Sequence, residues 1–362
     1  MQGGWWLKAD EVVAQCAGRR EAGVPARRYR FAEGQLLLDC DDEPLARRFD
    51  DLYADASNLG AAAREVPVQV ECIVRAHDPT LAAVFFRDPQ PLDGFAFCRH
   101  LFPNRGFVEG PAGPGGWRTI SLRQSPGDPQ IALCADLAVV DRRQAWQPFI
   151  GNYAINRVLR LQREVLFFHA ASIGIAGRGV LIVGPRGSGK TTSALALAAR
   201  GHDFFGDELA AVRCTSKALL PFRRAVSIRA GPRAQRVEDC LARIKCALER
   251  FPDGAERTLV DIGRLFPKAG VSPTTLCCVL FLRQFAKQPV AQRFTFGLEH
   301  FPMLTPLACS MWGVAAGVRI MDVSRLLRQV ECYWLDVGDP DETADLVERI
   351  AHGATDTGDR RP

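Results

Sequence analysis

The sequence predicts an α/β protein in two parts. A smaller α+β region spans residues 1–148, a larger domain with a mixed sheet spans 149–352, and a short polar tail, 353–362, follows. Three observations carry this reading. "GVLIV" at 179–183 is a continuous apolar run, as in a strand buried on both faces, and it leads through "GPRGSG" into "KTTSALALAARG", a helical stretch stopped by Gly201. "VPVQVECIV" alternates, with Val66, Val68, Val70, Cys72 and Val74 on one side and Gln69 and Glu71 on the other. The chain has 362 residues, 47% hydrophobic and 24% charged, enough to bury full cores without covalent staples.

In chain order, "RYRFAEGQLLLDC" reads as a hairpin turning at Glu33-Gly34. "EPLARRFDDLYADAS" puts Leu45, Phe49, Leu52 and Tyr53 on one helical face. Pro67 marks the start or edge of the strand that follows. "LAAVFF", "RTISLR" and "IALCADLAVV" continue the β pattern, and "GPAGPGG" at 110–116 is a loop. The acids in "DCDDEP" read as a solvated turn. "QAWQPFIGNYAINRVLRLQREV" is a helix with Phe149, Ile150, Tyr153, Ala154, Val158 and Leu161 on its apolar face. Beyond Glu208, "LAAVRC" and "KALLPFRRAVSIRAG" read as strands with a turn, and "VEDCLARIKCALER" as a helix. "TLVDIGRLF" and "TTLCCVLFLRQF" read as strand pieces, the second fully buried. "DETADLVERIAHG" is a closing helix between Asp341 and Gly353.

Composition excludes several function classes. Lys+Arg of 46 against Asp+Glu of 41 leaves +5, without the dense basic stripe of a nucleic-acid protein. The 12 cysteines form no C-x-x-C pair and have no histidine at zinc spacing, so they read as buried thiols in a reducing compartment. No run has transmembrane length and the start lacks a signal-peptide pattern, so the expectation is a cytoplasmic chain with no membrane contact.

The chemistry concentrates in Gly184, Pro185, Arg186, Gly187, Ser188, Gly189, Lys190 and Thr191, with Thr192 next in the helix. This is G-x-x-x-x-G-K-T between a strand and a helix, the context a nucleotide-phosphate loop requires. Glycines let backbone N–H groups converge on phosphate without a Cβ in the way, and the helix N-terminus adds partial positive charge. Lys190 can reach the β and γ phosphates, and the Thr191 hydroxyl can ligate Mg²⁺. Such a loop leaves ATPase, GTPase, kinase and motor open. No serine-glycine-glycine signature, no N-K-x-D and no distant Walker B strand is present, which removes the transporter motors, small GTPases and helicases. Instead "FFGDE" brings Asp207 and Glu208 close behind the loop, where carboxylates can hold Mg²⁺ or take a hydroxyl proton. His169 ends "LFFH". Pairing "FHAASIGIA" with "RGVLIVG" across "AGRG" carries it towards the same strand end. Arg223, Arg224 and Arg229 can bind an anion or simply face solvent.

His169, then Lys190, then the acids Asp207 and Glu208, with "ARGH" at 199–202 between them, resembles the catalytic domain of HPr kinase/phosphorylase. This is the bacterial serine kinase of a sugar-transport phosphocarrier, and it shares its nucleotide site with phosphoenolpyruvate carboxykinase. The resemblance is sharp from His169 to Glu208 and looser through "PFRRAVSI" and "VDIGRLFP". It implies that fold for 149–352, with ATP and Mg²⁺ as cofactors. The loop from Gly184 to Thr191 would bind nucleotide, with His169, Lys190, Asp207 and Glu208 in the catalytic centre and Thr191, Asp207 and Glu208 at the metal. The second acid is Glu where the family has Asp. The family's glutamate-leucine-arginine-glycine-leucine-glycine run is missing, with "SIRAGPRAQ" roughly in its place. These departures imply a kinase without phosphorylase activity and with a different acceptor, and residues 1–148 do not look like that family's N-terminal domain.

The expectation is therefore an ATP-dependent kinase acting on a hydroxyl, a serine of a protein or peptide. The alternatives are a small-molecule kinase on the same scaffold and a nucleotide-binding regulatory protein without turnover. The acceptor and the oligomeric state, monomer or homo-oligomer, stay open, and residues 1–148 are expected to select the acceptor.

Overall fold

A computed structural model describes residues 26–40, 43, 46–47, 49–53, 66–75, 108–109, 118–121, 130–136, 154–229, 247–250, 256–303 and 316–353. Leu45, "LAAVFF", "GPAGPGG", Phe149, Ile150, Tyr153, the first part of "VEDCLARIKCALER" and the polar tail beyond Gly353 lie outside them. The chain divides into two compact units, Met1–Gln162 and Arg163–Pro362.

The first unit holds β1 (Arg27–Phe31), β2 (Gly34–Cys40), β3 (Val68–Arg75), β4 (Val108–Glu109), β5 (Arg118–Ser121), β6 (Gln130–Asp136) and helix α1 (Ile155–Leu161). They make a mixed sheet of order β1-β2-β3-β6-β5-β4, in which β3 pairs parallel with both neighbours. The hairpin turns at Ala32-Glu33, one residue before the expected position, with Ala32 at φ 55°. Gly34 is the first residue of β2, and a side chain on it would run into Val158 and Gln162. Its glycine thus serves the close approach of α1 rather than the turn. Pro67 lies just before β3, where its missing N–H costs no ladder bond. Phe49, Leu52 and Tyr53 are buried as their helical spacing requires, and Tyr29 meets Phe49 edge-on with ring centroids 4.4 Å apart. Helix α1 groups with this unit, so the division falls further along the chain than the 148/149 boundary read from sequence. The Gln162 amide ends the helix by bonding the Val158 carbonyl (3.0 Å) and the Glu33 N–H (2.8 Å).

The second unit begins with β7 (Val165–Phe168), β8 (Ala170–Ile175), β9 (Arg178–Val183), α2 (Lys190–Ala199), β10 (Asp203–Gly206), β11 (Ala210–Arg213), β12 (Leu219–Leu220) and β13 (Val226–Arg229). It continues through β14 (Ala247–Arg250), β15 (Glu256–Val260), α3 (Ile262–Leu265), β16 (Thr275–Phe285), β17 (Val290–Phe294), α4 (Ala316–Leu327), β18 (Glu331–Val337) and α5 (Pro340–Ala351). Its main sheet has order β10-β8-β9-β16-β18-β17, with β9, β16 and β18 parallel and the outer pairs antiparallel. Successive residues of β9 feed opposite cores. Val180 and Ile182 join Ala194, Leu197, Val347 and Ile350 from α2 and α5. Leu181 and Val183 join Phe168, Val212, Val323 and Leu326 on the other face. That two-sided burial is why "GVLIV" is apolar at every position.

Several readings depart from the structure: Ile262–Leu265 of "TLVDIGRLF" form the helix α3, capped by Asp261, and "TTLCCVLFLRQF", read as fully buried, is exposed from Arg283 to Phe285. "ALER", read as the end of a helix, is β14, paired antiparallel with β15 from Ala247 opposite Leu259 to Arg250 opposite Glu256. Cross-strand pairing there overrides a helical propensity of a few tenths of a kcal/mol per residue. Among the described residues no helix is long and apolar enough to cross a membrane. Cys40, Cys72, Cys278 and Cys332 are buried thiols, and Cys214 and Cys277 are half-buried ones; none of these six is in a disulfide.

Candidate functional site

The β8–β9 hairpin forms across "AGRG" as expected from sequence. Ala170 faces Val183, so His169 stands level with Gly184, the first residue of the glycine-rich loop. The connecting residues Ala176 (φ 49°) and Gly177 (φ 76°) take the left-handed conformations of a tight hairpin turn. At the far end of β9 the chain passes through Pro185–Gly189 into α2. Gly187 (φ 83°) and Gly189 (φ 104°) adopt backbone conformations that side chains resist, so the loop can fold back over the start of the helix.

Helix α2 begins without a side-chain cap and without an acid in its first turn. Its N-terminal amides therefore keep their partial positive charge for an outside partner. The far end is closed instead by Gly201 (φ 89°). Its N–H bonds Ala198 O at 2.9 Å and the His202 N–H bonds Leu197 O at 3.3 Å, the paired bonds of a Schellman stop. The hydroxyl of Ser188 is buried and has no hydrogen-bond partner among the described residues. Lys190 is largely buried, and its ammonium donates to the loop's own carbonyls at Gly184 (2.5 Å) and Pro185 (3.0 Å). Burial lowers its pKa, and the carboxylates of Asp207 and Glu208 oppose that shift.

The acid pair follows β10, which pairs with β8. The two acids occupy a bend rather than a strand, and they part company there. Asp207 is buried and accepts a hydrogen bond from the Thr191 hydroxyl at 3.1 Å. Glu208 is half-exposed and forms an ion pair with Arg224 at 2.6 Å. Gly206 makes the bend possible: a Cβ on it would lie 2.7 Å from the Phe222 carbonyl oxygen and 2.8 Å from that of Leu209. Burial raises the Asp207 carboxyl to about 6; the Glu208 charge adds to the rise, while Arg224 and the Thr191 hydroxyl oppose it.

His169 joins this group through the main chain. Its Nδ1 lies 3.1 Å from the Glu208 carbonyl oxygen. A carbonyl only accepts, so Nδ1 carries the proton and Nε2 of the neutral ring keeps its lone pair. Burial first, and the Lys190 charge second, lower the His169 pKa, which favours that neutral form.

The structure thus brings Lys190 onto its loop, Thr191 onto Asp207, and His169 onto Glu208. Pro185, Arg186 and Gly187 are exposed at the loop tip, and Thr192 is half-buried in the first turn of α2. Among the described residues no cluster of three or more His, Cys, Asp or Glu side chains stands ready for a metal. The oxygen pair of Thr191 and Asp207, an uncapped helix start and an orphan hydroxyl at Ser188 nonetheless suit an oxyanion accompanied by a hard cation. Sequence reasoning did not reveal that Arg224 engages Glu208, because the two lie on separate segments and nothing in their spacing links them. Arg223, its neighbour, is buried and donates to the Ala269 carbonyl at 3.2 Å.

No family model and no curated protein matches the chain. Among solved structures, the HPr(Ser) kinase/phosphatase from Coxiella burnetii matches at 14% identity and a TM-score of 0.26, covering 52% of this chain and 88% of that one. A likeness at this level carries no argument about the site.

Proposed function

We propose that the chain is an ATP-dependent phosphotransferase that moves the γ-phosphoryl group to a hydroxyl, with a serine of a protein or peptide as the acceptor. The observation that carries the reading is the 3.1 Å hydrogen bond between Thr191, on the loop, and Asp207, on the acid bend. It joins a nucleotide-type loop to a buried carboxylate, the two parts that phosphoryl transfer to a hydroxyl needs. The sequence resemblance described above supports the same reading.

In this proposal the N–H groups of Gly187 to Thr191 surround the phosphates, and Lys190 leaves the Gly184 and Pro185 carbonyls for phosphate oxygens. Thr191 and Asp207 would hold Mg²⁺, which when bound offsets phosphate charge. Asp207 accepts the acceptor's proton. The lone pair on His169 Nε2 accepts a hydrogen bond from a main-chain N–H of the acceptor and orients it. Glu208, committed to Arg224, fixes the bend and presents its carbonyl to His169. Residues 1–148 select the acceptor. Photo-crosslinking of a labelled acceptor should mark them, and marking confined to 163–353 would remove them from that role.

The deciding experiment supplies ATP labelled in the γ-phosphate to the full chain in an extract of its own cells. Acid-stable label on a protein serine is expected. Label on a dialysable molecule transfers the proposal to a small-molecule acceptor, and label found only in ATP or orthophosphate overturns it.

A further inference from the structure

We propose that Phe285 is the stacking platform for a purine base, so that the nucleotide site extends from the glycine-rich loop onto the end of β16. This inference rests on the nucleotide reading and adds the subsite that distinguishes a nucleotide from a bare polyphosphate. Strand β16 is buried from Leu276 to Leu282 apart from the half-buried Cys277, and then turns polar and exposed at Arg283 and Gln284. Phe285 follows with 46% of its surface exposed.

A singly exposed aromatic residue is ordinary; its location gives this one meaning. Val183, the last residue of β9, is level with Phe281, so β16 runs past the end of β9 and alongside the loop. A Cβ built on Gly184 would lie 3.0 Å from Leu282 Cβ. One built on Gly189 would lie 3.4 Å from Phe285 Cε1, 3.7 Å from its Cζ and 3.6 Å from Val337 Cγ1. The edge of the ring therefore lies beside the loop at Gly189, the residue just before α2, while much of its surface meets solvent.

The strand end is tied to β18. Arg283 grips Asp336 of β18 with two bonds of 2.8 and 2.7 Å, Gln284 adds a third to the same carboxylate at 3.2 Å, and the Ala286 N–H bonds the Val337 carbonyl at 2.9 Å. Arg283, Gln284 and Asp336 are thus engaged with one another, and Phe285 is an exposed aromatic side chain at this strand end. Parallel strands of an α/β sheet bind ligands beyond their carboxyl ends, and β9, β16 and β18 all end here. In a nucleotide only a ribose separates the base from the phosphates, so a platform must stand close to the loop. An aromatic face takes a base by stacking without reading its edges, and a purine offers the larger face.

Calorimetry with ATP and with inorganic tripolyphosphate separates the parts. Phe285→Ala is expected to lose about tenfold in ATP affinity and nothing in tripolyphosphate affinity, and Phe285→Trp to restore ATP binding. Unchanged ATP affinity in the alanine variant overturns the platform. Equal loss for both ligands also overturns it, because the ring then supports the loop and not the base. A parent chain that binds neither ligand brings down the nucleotide reading itself, and the subsite with it.

Discussion

Lys190→Ala is expected to abolish measurable phosphoryl transfer, with a loss of at least ~10²–10³ in kcat, and to weaken ATP binding. The reason is geometric. The Lys190 ammonium is held inside the loop by two of the loop's own carbonyls, at 2.5 and 3.0 Å, where phosphate oxygens can replace them. Its pKa is lowered by burial, so the folded protein holds this charge against a desolvation cost. An alanine removes that cost along with the ligand, so thermal stability should change little even though the residue is largely buried. Steady-state kinetics and a melting curve on the same preparation decide the matter. Ordinary turnover in a well-folded variant would show that chemistry occurs elsewhere.

The second large effect is expected at Asp207. Asp207→Asn keeps an oxygen for the Thr191 hydroxyl and removes the charge, and kcat should fall by roughly 10²–10⁴, the usual worth of a positioned base. Glu208→Gln should be far milder, within about tenfold, because the Glu208 side chain is turned to Arg224 and its hydrogen bond to His169 is made by the backbone carbonyl. Equal rates for both amides and the parent would reduce the pair to a structural bend.

The same variant has a second readout in nucleotide- and metal-free protein. The Asp207 carboxyl is raised to about 6 in the folded state, so from pH ~4 to ~6 the native chain binds more protons than the unfolded one. Stability therefore falls as pH rises through that window, by about 2–3 kcal/mol once the group is ionised. Asp207→Asn should melt higher than the parent at pH 8, and the difference should shrink towards pH 4. A variant that is both inactive and more stable marks a charge retained for chemistry rather than for the fold.

What could be read from the chain followed the range of the interactions involved. Hairpin β8–β9, the loop and α2 with its glycine stop are contiguous, and each is set by neighbours a few residues away. The apolar run and the "AGRG" turn therefore carried His169 towards the strand end at the loop, and the pairing of β8 with β9 sets it level with Gly184. Asp207 and Glu208 were legible as an acid pair behind the loop, but their division of labour was not. Residues adjacent in sequence carry the same pattern signal, and only packing against Thr191 and Arg224 separates them.

By itself, then, the sequence determined the local chemistry: a strand, a glycine loop, a lysine and a threonine at a helix start, and two acids one strand later. Tertiary structure alone decided the rest. It made "ALER" a strand, because pairing with β15 outweighs a weak helical preference. It put Gly34 against α1 instead of in a turn. It carried Phe285 past the end of β9 to the edge of the loop, because the register of two parallel strands is set by core contacts along their whole length. Residues far apart in the chain meet only where those long-range pairings close, and no local pattern encodes the meeting.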